Sequence, residues 1–149
     1  MKSLALLLMI SAFNVSFYKT SLQDRCSAVC HAVSALYPEE LSSPTSASNA
    51  AAQESYWSEQ LHQAAPAGLF QPPTANQVQR AMVEVKKAGC PFSIKAGGHS
   101  FNTRGSSIDG GFQFDLAYLD YVEISESCKS LKVGPGDLWG PLPKCLEGY

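Results

Sequence analysis

No apolar run in this sequence is long enough to cross a bilayer. The N-terminal stretch LALLLMISA, Leu4 to Ala12, stops well short of the ~20 residues a helical span needs. No run of basic residues occurs either, and 11 Lys+Arg against 13 Asp+Glu leave a formal net charge of −2. Such a balance offers no electrostatic footprint for nucleic acid or anionic lipid. No internal repeat is visible, which argues against a solenoid or propeller. Cys26, Cys30 and His31 have a metal-like spacing, but no second Cys/His cluster completes four ligands, so a zinc site is not expected.

What remains is an ordinary globular composition, 45% hydrophobic and 16% charged over 149 residues. That length fits one domain, which buries roughly two-thirds of its unfolded surface on folding. Lys2 followed by the apolar run reads as an export signal, with cleavage between Ala12 and Thr20 although no clean A-x-A pattern marks it. The sequon Asn14-Val15-Ser16 falls in or near the removed segment. Export makes disulfides the natural reading of Cys26, Cys30, Cys90, Cys128 and Cys145. Five is odd, so at least one has no partner within the chain.

The chain divides into a signal (1–20), a lead segment (21–64) and a patterned part (65–149). Residues 21–37 read as an amphipathic helix. Residues 38–53, PEELSSPTSASNAAAQ, read as an extended surface segment or linker, with Tyr56 and Trp57 after it as anchors to the core. Leu69 to Gln71 is a short strand stopped by Pro72-Pro73. Thr74 caps a helix, with Gln77 as capping-box partner. Val78, Ala81, Met82, Val85 and Ala88 form its apolar face, and Gly89 is the stop.

Further strands are expected at Phe92 to Ala96, at Phe112 to Leu116 as a half-buried alternation, at Val122 to Ile124 and at Leu131 to Val133. Gly134-Pro135-Gly136 is a turn, and Leu138 to Leu146 a last helix interrupted by Pro141 and Pro143. The sum is an α+β domain, a small mixed sheet with flanking helices.

One turn carries chemistry. Lys95-Ala96-Gly97-Gly98-His99-Ser100 follows the strand FSIKA. Glycines at a strand end let successive N–H groups converge on an anion such as a pyrophosphate. The imidazole beside them is a nucleophile, base or ligand. Asp115, Asp120 and Glu123 read as strand-end caps or solvated charges, and Tyr118 and Tyr121 as packing residues.

These blocks resemble a known family. Pro66-Ala67-Gly68-Leu69-Phe70-Gln71-Pro72, the helix from Asn76, Cys90-Pro91-Phe92, KAGGHSF, Asp115-Leu116 with Leu119, and Lys132 to Gly136 with Trp139-Gly140 occur in family order. They are similar to the secreted FAD-linked oxidases of the berberine-bridge-enzyme type, whose PCMH-type FAD-binding domain has the vanillyl-alcohol-oxidase fold. The resemblance covers residues 55–149. It implies that Ala96, Gly97, Gly98, His99 and Ser100 cradle the FAD pyrophosphate. It also implies that His99 carries FAD covalently at the 8α-methyl group, as a neutral imidazole nitrogen can near neutral pH. The implied activity is oxidation of alcohols, sugars or alkaloid-like amines, with dioxygen taking the electrons back.

The resemblance further implies a Cys30–Cys90 disulfide, with Cys26 as the competing partner. Gly68 stands where relatives often have Cys, Asn49 where an aromatic is common, and Asp137 where a small residue is usual. Family members continue well past the position of Tyr149, into a second FAD subdomain, a substrate domain and the catalytic base. Taken alone, the chain is therefore expected to bind FAD weakly or not at all and to turn over nothing. The rival expectation is a secreted, non-catalytic remnant of the fold without cofactor. No substrate or oligomeric state is legible.

Overall fold

A computed structural model describes residues 20–102 and 104–138. Its elements run α1 (Leu22–Leu36), β1 (Leu41–Ser42), α2 (Ala47–Glu54), α3 (Glu59–His62), β2 (Gly68–Phe70), α4 (Ala75–Ala88), β3 (Phe92–Lys95), β4 (Phe112–Asp115), β5 (Val122–Ile124) and β6 (Leu131–Val133). The architecture is α+β, as expected. The export signal and the helix expected from Leu138 to Leu146 lie outside the described residues, apart from Thr20 and Leu138.

Helix α4 follows its sequence signals closely. Thr74 Oγ1 accepts the Gln77 N–H at 3.3 Å, and Gly89 closes the helix in the left-handed conformation at φ +65°. The capping box is not completed. Gln77 sends its side chain to Glu40 instead, donating Nε2–H to Oε1 at 3.2 Å. Glu40 lies within the stretch expected to be extended, which is more structured than that. Ser46 caps α2 by accepting the Asn49 N–H at 3.1 Å, and the run of alanines with little branching sustains the helix. Just upstream, β1 pairs antiparallel with β2.

The main sheet has the order β1-β2-β4-β3. β2 and β3 both run parallel to β4, which lies between them, so α4 is the crossover of a β-α-β unit. One face packs on the helices: Phe70, Phe112 and Phe114 meet Val29 and Val33 of α1 and Ala81 and Val85 of α4 in a single core. Phe112 and Phe114 meet edge to face, 5.1 Å between centroids. β4 is buried at every residue, not half-buried as its alternation suggests. Its polar members Gln113 and Asp115 face a second covered surface, described below. β5 and β6 form a separate antiparallel hairpin.

The disulfide joins Cys26, not Cys30, to Cys90, with Cα atoms 5.0 Å apart. Cys26 lies on the α1 face that packs on α4, and Arg25 beside it donates Nη1–H to the Gly89 carbonyl at 2.9 Å. Cys30 lies one turn, about 6 Å, further along α1. There it faces β2, its Sγ 3.6 Å from the Ala67 carbonyl oxygen. Burial pushes the Cys30 thiol up from its ordinary pKa. No helix among the described residues is long and apolar enough to cross a membrane.

Candidate cofactor site

The parallel register sets Lys95 opposite Asp115 at the ends of β3 and β4, and the two chains part there. β3 leads into Ala96-Gly97-Gly98-His99-Ser100. Gly98 takes φ +73°, a left-handed conformation that favours glycine. Space there is also tight, since a Cβ on Gly98 would lie 3.3 Å from Tyr56 Cδ1 and 3.4 Å from Lys95 Cε. The backbone N–H groups of Gly97, Gly98, His99 and Ser100 have no acceptor among the described residues. His99 and Ala96 are exposed, and Ser100 is half-buried. The Ser100 hydroxyl is turned to its own loop, where Oγ accepts the Asn102 N–H at 3.1 Å.

Beneath the turn lies a buried polar layer. Asp115 accepts from Lys95 Nζ at 3.1 Å and Gln71 Nε2 at 3.2 Å through Oδ2, and from the Ala117 N–H at 3.2 Å through Oδ1. Three donors satisfy a carboxylate that is 1% exposed. Tyr56 closes the layer from the lead segment. Its hydroxyl donates to the Ser106 carbonyl and accepts from Gln113 Nε2 at 3.1 Å, while Lys95 Nζ lies over its ring at 5.2 Å. Burial pushes the Tyr56 phenol up to about 12. Asp115 therefore caps the strand end through Ala117, as its position suggests, but it is a buried ion-pair partner and not a solvated carboxylate.

The other candidates stand apart from the turn or on the surface. Asp120 is exposed, and Glu123 pairs with Lys132 at 3.0 Å on the exposed hairpin. Tyr118 and Tyr121 are exposed too, not packed, and Tyr121 carries Lys132 Nζ over its ring at 5.2 Å. Cys26 is committed to the disulfide, and no group of three His, Cys, Asp or Glu among the described residues has a metal-site arrangement.

Two features escaped the sequence reading. The Lys95–Asp115 pair is one: the residues are 20 positions apart, and the signal was a charge at the end of each of two adjacent strands. Trp57 is the other. It is not a core anchor but lies 49% exposed, with its indole beside the His99 ring.

A family model described as "FAD binding domain" matches residues 66–149. The chain belongs to this family. Curated relatives include an FAD-dependent monooxygenase of Cochliobolus heterostrophus, 34% identical over 70% of this chain and 20% of its own length. Another, from Fusarium proliferatum, is 33% identical over 62% of this chain and 18% of its own length. The chain thus spans about a fifth of the curated relatives it matches. Among solved structures, the wild-type BBE-like 1 of Physcomitrella patens superposes with a TM-score of 0.65 at 24% identity, covering 80% of this chain and 26% of that one. The grass-pollen allergen Phl p 4, a glucose dehydrogenase, gives 0.62 at 16% identity over 76% of this chain and 24% of its own. This FAD-binding domain therefore shares the berberine-bridge-enzyme-like fold, and FAD is its cofactor.

Proposed function

We propose that Ala96, Gly97, Gly98, His99 and Ser100 hold the FAD pyrophosphate, with His99 as the covalent tether. The protein so loaded is a secreted oxidoreductase of alcohols, sugars or related small molecules. The observation that carries this reading is the run of four consecutive backbone N–H groups without an acceptor among the described residues, on a turn whose Gly98 holds a left-handed conformation. Successive N–H groups on a strand-end glycine turn are free to donate to an anion such as a pyrophosphate. Held by these residues, FAD would supply two-electron redox chemistry.

The residues of this chain do the holding. The Gly97 to Ser100 N–H groups bind phosphate oxygens, and the imidazole of His99 fixes the flavin end. The Lys95–Asp115 pair and Tyr56 support the turn from below. Export is supported by Lys2 with the apolar run that follows and by the Cys26–Cys90 disulfide, a bond that oxidising compartments favour.

The test is the absorption spectrum of the purified polypeptide with FAD, before and after acid precipitation. Yellow colour that stays with the precipitate and is lost in His99→Ala assigns the tether. A protein that gains no flavin absorbance and shows no spectral response to FAD overturns the assignment of this turn and favours a non-catalytic remnant.

A further inference from the structure

Trp57 lies outside residues 66–149, the segment the family model matches, yet it reaches the turn. Its indole Nε1–H donates to the Ser100 carbonyl at 3.1 Å. Its ring is stacked with that of His99, 6.3 Å between centroids and 28° between planes. Phe101 meets the same indole edge-on, 4.8 Å away at 71°. The backbone that presents it is fixed. The neighbouring Tyr56 is buried, its hydroxyl bonds Ser106 and Gln113, and its carbonyl meets His62 Nε2 at 2.6 Å.

An exposed histidine after two glycines has several rotamers open to it. A ring nitrogen that must meet one carbon atom needs its plane held within about 10–20°. An indole pinned by its own hydrogen bond beside the imidazole limits that freedom. We propose that Trp57 is a positioning residue for His99, setting the plane in which the imidazole meets the flavin. This rests on the reading of His99 as the flavin tether. Trp57 forms no bond in the reaction; it acts through His99.

The test uses the 149-residue chain labelled with 13C in its three histidines, with His99→Ala assigning the signal. Indole stacking places the His99 ring protons upfield. Trp57→Leu loses that displacement, and Trp57→Phe, which keeps an aromatic face, retains part of it. Titration with millimolar FAD then moves the His99 signal in the parent. The movement is several-fold smaller in Trp57→Leu and partly restored in Trp57→Phe. Unchanged methyl signals from Val33 and Val85 establish that each variant is folded.

If Trp57→Leu leaves the His99 signal in place, the stack is absent and the proposal is overturned. If the stack is lost but the FAD response is equal, Trp57 is a neighbour without a positioning role. If the parent His99 never responds to FAD while the stack persists, the tether reading fails and takes this role with it.

Discussion

The Lys95 ammonium lies 3.1 Å from Asp115 Oδ2, and the two side chains are only 5% and 1% exposed. The pair joins two parallel strands at the point where the glycine turn leaves the sheet. A charge left alone there has no water to turn to. Asp115→Ala or Lys95→Met should each cost about 3–5 kcal/mol in urea unfolding. The double variant Lys95→Met/Asp115→Leu should fall closer to the parent than either single change, because it removes both charges together. Additive losses would show that the two groups are not coupled.

Gly98 and Gly110 separate strain from crowding. Both have positive φ, but a Cβ on Gly110 would meet nothing within 4 Å. Gly110→Ala should therefore lose only the left-handed penalty of about 1–2 kcal/mol. Gly98→Ala should lose more, since its Cβ presses on Tyr56, and should weaken FAD binding where Gly110→Ala does not. Equilibrium unfolding together with an FAD titration reads both effects.

The thiols offer a sharp structural check. Cys26→Ser should lower stability by about 4 kcal/mol, the chain-entropy value for a loop of this length, whereas Cys30→Ser should leave the disulfide intact. Peptide mapping under non-reducing conditions should recover Cys26 linked to Cys90. A Cys30–Cys90 peptide would contradict the packing of α1.

Gly68 and Cys30 are placed to make a bond that this sequence lacks. A Cβ on Gly68 would lie 2.6 Å from Cys30 Sγ. Gly68→Cys should oxidise to a second disulfide and raise the unfolding free energy by about 4 kcal/mol on the entropy argument. Loss of the Cys30 thiol from a titration with a thiol reagent in the folded protein reports the bond.

Tyr56 predicts an alkaline transition. Its folded pKa of about 12 stands above the ordinary value of 10.0, because burial disfavours the phenolate. The neutral phenol therefore contributes stability that is full below pH 10 and lost as pH rises towards about 12. Tyr56→Phe should remove this part of the pH dependence, seen as a flatter stability profile between those limits. At neutral pH it should cost about 1–3 kcal/mol, since Gln113 and the Ser106 carbonyl lose their partner. An unchanged alkaline slope would mean that another group titrates there.

Much of this fold is written locally. The Thr74 cap, the five-residue apolar face and the Gly89 stop define α4 without reference to the rest of the chain. The strands at Phe92, Phe112, Val122 and Leu131 fall where β-prone runs lie between turns. The Gly97-Gly98-His99 turn is legible for the same reason: a strand end followed by paired glycine is a local signal. The stretch 38–53 misled because serine and proline favour loops on average. Here Ser46 spends its hydroxyl as a helix cap.

The pairings were not legible. Cys26 and Cys30 are equivalent to a reader of spacing, and loop-closure entropy barely distinguishes their distances from Cys90. Only the docking of α1 on α4 chooses between them. β4 alternates as if one face met water, yet Tyr56, Gln71 and Lys95 cover its polar side chains from three separate segments.

Helix α4, the strand positions and the glycine turn with its histidine follow from local sequence, because they depend on neighbours a few residues apart. Long-range packing selects which cysteine is bonded, makes Lys95 and Asp115 one buried pair, and sets Trp57 beside His99. Those contacts join segments 20 to 64 residues apart, and only strand register and helix packing fix which of many sterically possible partners meet.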